Sequence, residues 1–305
     1  MGTSYTVASA EPTERAAAFD LVFQHFGPTE RQARVANALQ LIELGELPAE
    51  GVWVARHEAR VVGALVCLAL PGASGLVWPP QVAFGINARE VEDQLIRRAA
   101  AWLRGRGAKL AQALLTEDEK GLAPPLERNG FSHITSLWYL RHDLSVLRES
   151  SAGSQSLGYQ TATTTDPRVF QDTLLRTYEG TLDCPEVNGV RTIGEVLAGH
   201  RGQRTEDPAT WWLVVDAGEP AGVVMVTEMP DSRTWDLSYL GVVPKARGRG
   251  LGREMVQKVL LEARAAGVSG VSLSVDTRNR PAWQLYLAAG FQSYDRREVY
   301  LAVWR

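Results

Sequence analysis

Cysteine is scarce in this chain, with Cys67 and Cys184 the only two among 305 residues. Two distant thiols are neither a disulfide framework nor a zinc site by themselves. They fit a reducing compartment. Long apolar runs are missing as well: the longest, Val61 to Leu70, is too short to span a bilayer. Met1 to Arg15 contains no basic region followed by an apolar stretch, so no signal peptide is expected. A soluble cytoplasmic protein with no membrane partner is the expectation. Neither sign of charge dominates. Lys+Arg number 32 and Asp+Glu 35, a net charge of −3. Residues 1–150 carry 15 basic and 17 acidic side chains and the remainder 17 and 18. Neither half is a basic module, so nucleic acid is not an expected partner.

What is present is ordinary globular material. Hydrophobic residues make up 45% and charged residues 22%, which excludes wholesale disorder. The length suits two domains, each able to bury a core. An internal repeat supports that division. Gly51 to Pro71 aligns without a gap on Thr210 to Pro230, pairing Trp53 with Trp212, Gly63 with Gly222 and Pro71 with Pro230. Asn129-Gly130-Phe131 matches Ala289-Gly290-Phe291 at nearly the same offset. Two copies of one fold are the simplest reading. Ser150, Ser151, Gly153, Ser154 and Ser156 suggest a flexible linker between them. The expected division is residues 1–148, a linker at 149–158, and residues 159–305.

Each copy reads as an amphipathic helical region followed by a strand pair. The helical regions are Ala33 to Leu44 and Val169 to Tyr178. The strand pairs are Val52 to Ala55 with Val61 to Leu70, and Trp211 to Val215 with Ala221 to Glu228. In the second copy a strand follows over Thr234 to Val243. A helix comes next, from about Gly250 to Ala266, with Leu251, Met255, Val259 and Ala263 on one stripe. Val271, Leu273 and Val275 alternate with serines as a strand, Pro281 to Ala289 reads as a helix, and Val299 to Trp304 as a last strand. The expected class is α/β in the mixed α+β sense, a twisted mixed sheet flanked by helices in each copy.

The chemistry concentrates in Leu240-Gly-Val-Val-Pro-Lys-Ala-Arg-Gly-Arg-Gly-Leu-Gly-Arg253. A strand enters a glycine-rich turn that opens a helix, so free amides converge on an anion. Gly248, Gly250 and Gly252 let the backbone approach a phosphate. Lys245, Arg247, Arg249 and Arg253 add positive charge, and arginine suits phosphate through its bidentate fork. The Rossmann spacing fails because Arg253 stands at its third glycine, and the Walker pattern lacks Gly-Lys-Ser/Thr.

What remains is Arg-x-x-Gly-x-Gly at Arg247, Gly250 and Gly252. The segment resembles the acyl-CoA pyrophosphate loop of the GCN5-related N-acetyltransferases, the GNAT family. Asn279-Arg-Pro-Ala-Trp-Gln-Leu-Tyr286-Leu-Ala-Ala-Gly-Phe291 matches a second family pattern, Asn-x-x-Ala-x-x-Leu-Tyr-x-x-x-Gly-Phe, at every fixed position. Together the two cover the core of residues 159–305. The layout of two halves with one intact loop is similar to that of mycothiol synthase-like tandem members.

The resemblance implies acetyl transfer from acetyl-CoA to a primary amine of a small molecule or peptide by direct attack, with no metal. It implies that Leu240, Gly241 and Val242 pair with the pantetheine arm. Arg247, Gly248, Arg249, Gly250, Leu251, Gly252 and Arg253 would cradle the pyrophosphate, and Asn279 would cap its helix and touch CoA. Tyr286 stands where the family places the proton donor to the departing thiolate. Two carboxylates compete as base, Asp236 on the strand and Glu228 at the end of the preceding one, with water as a further alternative. Tyr178 to Arg201, rich in polar side chains, is expected to form the acceptor wall. Cys184 has no evident paired base, so covalent catalysis is not expected.

The first copy lacks this equipment. It has no Gly-x-Gly between Trp78 and Glu92, two prolines at Pro79 and Pro80, and Glu90, Glu92 and Asp93 where a pyrophosphate needs positive charge. It reads as a degenerate copy with a structural or substrate-shaping role. Two other readings stay open: a different acyl donor with mycothiol synthase-like transfer, or a CoA-responsive binding module without turnover.

Overall fold

The computed structural model describes residues 5–147, 157–202, 208–229 and 233–304. In chain order its elements begin with β1 (Thr6–Ser9), α1 (Arg15–Val22), α2 (Pro28–Glu43), β2 (Val52–His57), β3 (Arg60–Leu70), β4 (Ser74–Val77), β5 (Gln81–Val82) and α3 (Ala88–Gly105). Then come β6 (Leu110–Leu115), α4 (Ala123–Arg128), β7 (Ser132–Asp143), β8 (Leu157–Thr161), α5 (Pro167–Thr177), α6 (Ile193–Arg201) and β9 (Trp211–Asp216). The chain ends with β10 (Glu219–Met229), β11 (Thr234–Val242), α7 (Leu251–Ala265), β12 (Gly270–Asp276), α8 (Arg280–Ala288) and β13 (Gln292–Val303). Among the described residues no helix is long and apolar enough to cross a membrane.

Two compact units form, one of residues 1–134 with 298–305 and the other of residues 135–297. Neither boundary falls at the expected linker, most of which lies outside the described residues. The first unit orders its strands β1-β2-β3-β4-β6-β13, the second β8-β9-β10-β11-β12-β7. Position by position the two orders correspond, as the internal repeat predicts. The sixth strand is exchanged. Glu298 to Val303 of β13 pair with β6 in the first unit, and Leu137 to Asp143 of β7 pair with β12 in the second. Alternation explains why β12 accepts a partner there. Val271, Leu273 and Val275 are buried on one face, and β7 pairs with β12 from Gly270 to Asp276 while β11 pairs with it only from Gly270 to Ser272.

Each unit stacks helices on both faces of its mixed sheet. In the second unit, α7 contributes Leu251, Met255, Val256, Val259, Leu260 and Ala263, all buried at helical spacing. They meet Val271, Leu273, Val275 and Leu140 in one core. On the opposite face Phe170 and Leu174 of α5 and Leu197 of α6 pack on Trp211, Leu213, Val223 and Met225. In the first unit α3 buries Val91, Leu95, Ile96, Ala99 and Leu103, while Phe19 and Val22 of α1 cover the other face. There the strand order breaks at Pro79-Pro80. β4 ends at Val77, and β5 turns back to pair with β3 through Gly63↔Val82 and Ala64↔Gln81. Proline has no N–H for a ladder, which accounts for the interruption.

Candidate active site

The second unit's sheet opens between β11 and β12. The two strands run parallel and pair at only three positions, Thr234↔Gly270 to Asp236↔Ser272. Beyond these, β11 continues to Val242 beside β10 alone, and β12 continues to Asp276 beside β7 alone. A β-bulge marks the parting. The register with β10 shifts between Met225 and Thr227, setting Leu237 and Ser238 of β11 against Val226. Among the described residues no strand therefore pairs with Leu237 to Val242 on the side away from β10. Backbone amides and carbonyls left unpaired inside a protein need a partner. They face a cavity of about 1200 Å³, more than a single drug-sized ligand requires.

The glycine-rich turn lies along the same cavity. Gly248 and Gly250 hold φ of +75° and +88°, the left-handed region open to glycine. Gly250 is the residue from which α7 starts. A side chain at Gly252 would meet Leu285 Cδ2 at 3.1 Å. The first amides of α7 have no intrahelical acceptor, and the helix dipole adds partial positive charge there.

Of the residues expected to bind donor, Leu240, Gly241, Val242, Arg247, Gly248, Gly250, Leu251, Gly252, Arg253 and Asn279 line the cavity, together with Tyr286. The arginines divide their tasks. Arg247 donates from Nε to Val242 O (3.0 Å), from Nη1 to Gly180 O (3.3 Å) and from Nη2 to Thr177 O (2.9 Å). Its side chain caps the last turn of α5 and binds that turn to the loop. Arg249 turns out of the cavity to pair with Asp216 at 2.8 Å. Arg253, exposed, makes no ion pair among the described residues and lines the cavity.

Asn279 caps α8: its side chain accepts from the Ala282 amide at 3.3 Å. Two turns on, Tyr286 is buried beside Phe291. Burial and the nearby Asp183 carboxylate push its phenol above the ordinary range, so it is protonated at neutral pH.

The two carboxylates considered as base separate. Neither lines the cavity. Glu228 is exposed near the end of β10, opposite Trp235. Asp236 accepts from Ser272 Oγ at 2.9 Å. Burial raises its pKa, and the Ser272 hydrogen bond opposes the rise. Ser272 and Ser274 alternate with the buried residues of β12, so they share a face. Ser274 lines the cavity, placing Asp236 one pleat from its edge.

The segment expected as the acceptor wall does form one side of the cavity, through Tyr178, Asp183, Cys184, Arg191 and His200 among others. Burial first, then the charge of Arg191, pushes His200 down to about 4, so it is neutral. Tyr239 and Thr177 carry no motif signal and were legible only in three dimensions. Their hydroxyls lie 2.5 Å apart. Since Thr177 Oγ1 also donates to Leu174 O, the Tyr239 hydroxyl donates to Thr177. Gly241 leaves room for that pair, because a Cβ there would stand 2.6 Å from the Tyr239 hydroxyl and 2.7 Å from Thr177 Cβ.

Asp183, Cys184 and Asp276 bring three ligand-type atoms within 4.8 Å of one another. Asp276 is already committed. It receives Arg278 Nη2 at 2.7 Å, Thr135 Oγ1 at 2.7 Å and the Cys184 amide at 3.0 Å. Burial alone would raise its pKa, and these donors outweigh it and hold the carboxyl low. Burial and the two aspartates push the Cys184 thiol above its ordinary range, which removes it as a nucleophile. The trio is an anchor for the wall, and Arg278 pairs with its Asp276 carboxylate.

Comparison with known proteins agrees with this geometry. Residues 176–291 match the family described as acetyltransferase (GNAT) family. A mycothiol acetyltransferase of Beutenbergia cavernae is 33% identical over 213 residues, covering 61% of this chain and 68% of the relative. One from Thermobifida fusca is 26% identical over 281 residues, 80% and 85% of the two chains. Among solved structures, a GCN5-related N-acetyltransferase from Sphaerobacter thermophilus superposes with a TM-score of 0.62 at 19% identity, covering 98% of this chain and 95% of its own. A tandem GNAT protein of the clavulanic acid biosynthesis pathway gives 0.51 at 18% identity, covering 98% of each chain. At those identities the structures show likeness of fold.

Proposed function

The chain belongs to the GNAT family of acetyltransferases, and from that premise we propose that its second unit moves the acetyl group of acetyl-CoA to a primary amine of a small molecule. One observation carries the reading: a single cavity joins an unpaired strand edge to an anion-binding loop. Acetyl-CoA has the matching order of groups, a chain of amides ending in a pyrophosphate. The open edge of Leu240 to Val242 suits the amides. The Gly248 to Arg253 turn suits the pyrophosphate. The size of the cavity leaves room for an acceptor beside the donor.

When bound, acetyl-CoA supplies a thioester that an amine attacks directly. Asp236 takes the first proton from the incoming ammonium through a water, since the carboxylate stands one pleat from the cavity. Glu228, exposed on β10, is the weaker candidate. A backbone amide of Leu240 to Val242 stabilises the oxyanion. Tyr286 gives its proton to the departing sulfur, and the second proton of the nitrogen, passed through water, restores the phenol. Arg247 acts in this scheme through the wall it holds.

The sequence relatives named mycothiol acetyltransferases support a small-molecule amine as acceptor. Two unpaired thiols are in keeping with a cytoplasmic setting. The position of Tyr286 in the cavity favours turnover over a binding module.

Calorimetric titration with acetyl-CoA tests the proposal, with Gly250→Glu as the comparison. That variant puts a carboxylate against the pyrophosphate at a residue with φ of +88°. One site in the wild type, lost in a folded variant, is the expected result. Unchanged affinity in the variant sinks the loop assignment, and two sites in the wild type would give the first unit a donor site of its own.

A further inference from the structure

Arg247 stands at the start of the glycine-rich turn, next to Gly248, and its backbone is extended, with φ of −65° and ψ of 153°. By its place in the chain it belongs to the anion-binding turn. Its guanidinium works elsewhere. All three of its nitrogens donate to neutral carbonyls. Nε reaches Val242, where β11 ends, and Nη2 reaches Thr177, the last residue of α5. Nη1 reaches Gly180, which turns the chain out of that helix with φ of +61°. The last carbonyls of a helix have no partner within it. Here Leu174 O takes the Thr177 hydroxyl, and Thr177 O takes Arg247.

The acceptor wall starts at that junction. Tyr178 follows Thr177 and sets its ring against Tyr239, with centroids 5.5 Å apart. Further on, the Cys184 amide donates to the buried Asp276 at 3.0 Å. All of Tyr178 to Cys184 except Glu179 lines the cavity. The segment is thus strung between two anchors, Arg247 at its start and Asp276 at its end. Only the first of these belongs to the donor turn.

We propose that Arg247 is a positioning residue rather than a pyrophosphate ligand, and that it couples the two halves of the cavity, so that filling the turn firms the wall. Glycines leave a turn a conformational freedom that an anion on its amides removes. Arg247 is joined to Gly248, so a fixed turn narrows the range of its side chain and steadies the carbonyls at the end of α5. A wall already ordered by the donor receives its acceptor at a smaller entropic cost. The inference rests on the acetyl-transfer reading and deepens it by assigning Arg247 to the acceptor half of the site.

The test compares the full chain with Arg247→Ala and Arg247→Lys. Acetyl-CoA is titrated by calorimetry, and amide hydrogen exchange is read with and without it. Lysine keeps the charge and loses the planar fork that reaches three carbonyls. Both variants should bind acetyl-CoA within about threefold of the wild type, as exposed substitutions outside a binding contact do. Without ligand, exchange at residues 178–184 should already be faster in both variants. In the wild type acetyl-CoA should slow exchange there by about fivefold or more, the usual size of coupling between two sites. Both variants should lose that slowing while α7 and β12 keep their protection, which separates a local tie from a general loss of stability. An affinity lower by about tenfold or more in Arg247→Ala and kept in Arg247→Lys would make the side chain a phosphate ligand and overturn the proposal. Slowing that persists in Arg247→Ala, or that is missing from the wild type with acetyl-CoA bound, would overturn it as well. A wild type that binds no acetyl-CoA, with faster exchange at residues 178–184 in both variants, would sink the acetyl-transfer reading and leave Arg247 as the residue that holds the wall.

Discussion

Cutting the chain at the boundary suggested by its internal repeat should destroy the second unit. A fragment of residues 159–305 lacks β7, which pairs with β12 at seven positions from Gly270↔Asp143 to Asp276↔Leu137. It also loses Leu140, fully buried, and Leu144, 5% exposed, from the core that α7 covers. Emptying two buried leucine sites costs about 2–5 kcal/mol each, so about 4–10 kcal/mol together. Asp276 loses the Thr135 hydroxyl, which adds about 1–3 kcal/mol for a buried acceptor left short of a donor. A domain has about 5–15 kcal/mol of stability in all. The loss is of the same size, and β12 becomes a bare apolar edge open to aggregation. A fragment of residues 135–297 keeps β7 and should behave as a folded unit. Urea unfolding followed by circular dichroism separates the two. Residues 135–297 should give one cooperative transition, and residues 159–305 should give none or precipitate. If residues 159–305 unfold cooperatively at the midpoint of the full chain, the strand exchange is not what holds this unit together.

Three other expectations follow from the same geometry. Tyr286→Phe keeps the packed ring and removes the proposed proton donor, so kcat should fall about a hundredfold with acetyl-CoA affinity retained; an unaltered rate removes its role as acid. Gly241→Ala drives a methyl into Tyr239 and Thr177 and should cost about 1–3 kcal/mol. Acetyl-CoA affinity should fall with it, and unchanged values in both measurements would mean the contact is not tight. His200 titrates near 6.5 in an unfolded chain and at about 4 here. Because the unfolded state binds its proton more readily, its contribution is complete above about pH 6.5 and drains away as pH falls toward 4, by at most about 3 kcal/mol. His200→Gln should flatten that stretch of the stability–pH curve in urea titrations, and an identical slope would refute the shift.

Much of this protein could be read from the chain alone because the relevant signals are contiguous. A glycine-rich turn suited to an anion needs glycines and a helix start within a dozen residues, and Gly248, Gly250 and α7 fall where that spacing puts them. The period of α7, the alternation in β12 and the cap at Asn279 are likewise local. The repeat was legible because both copies keep the same hairpin spacing, and the matching strand orders of the two units bear it out.

Other properties depend on which distant segments meet, and no local spacing encodes that. The identity of the sixth strand in each unit is a pairing choice between edges that any apolar strand could satisfy, so tertiary packing made it. Arg247 has the composition of a phosphate ligand. Its guanidinium is consumed by three carbonyls because the end of α5 happens to lie within its reach. The buried Asp276 carboxylate keeps its charge because the Thr135 hydroxyl, the Cys184 amide and Arg278 converge on it. Charge compensation is a sum over everything within a few ångströms, and those neighbours come together only when the chain folds.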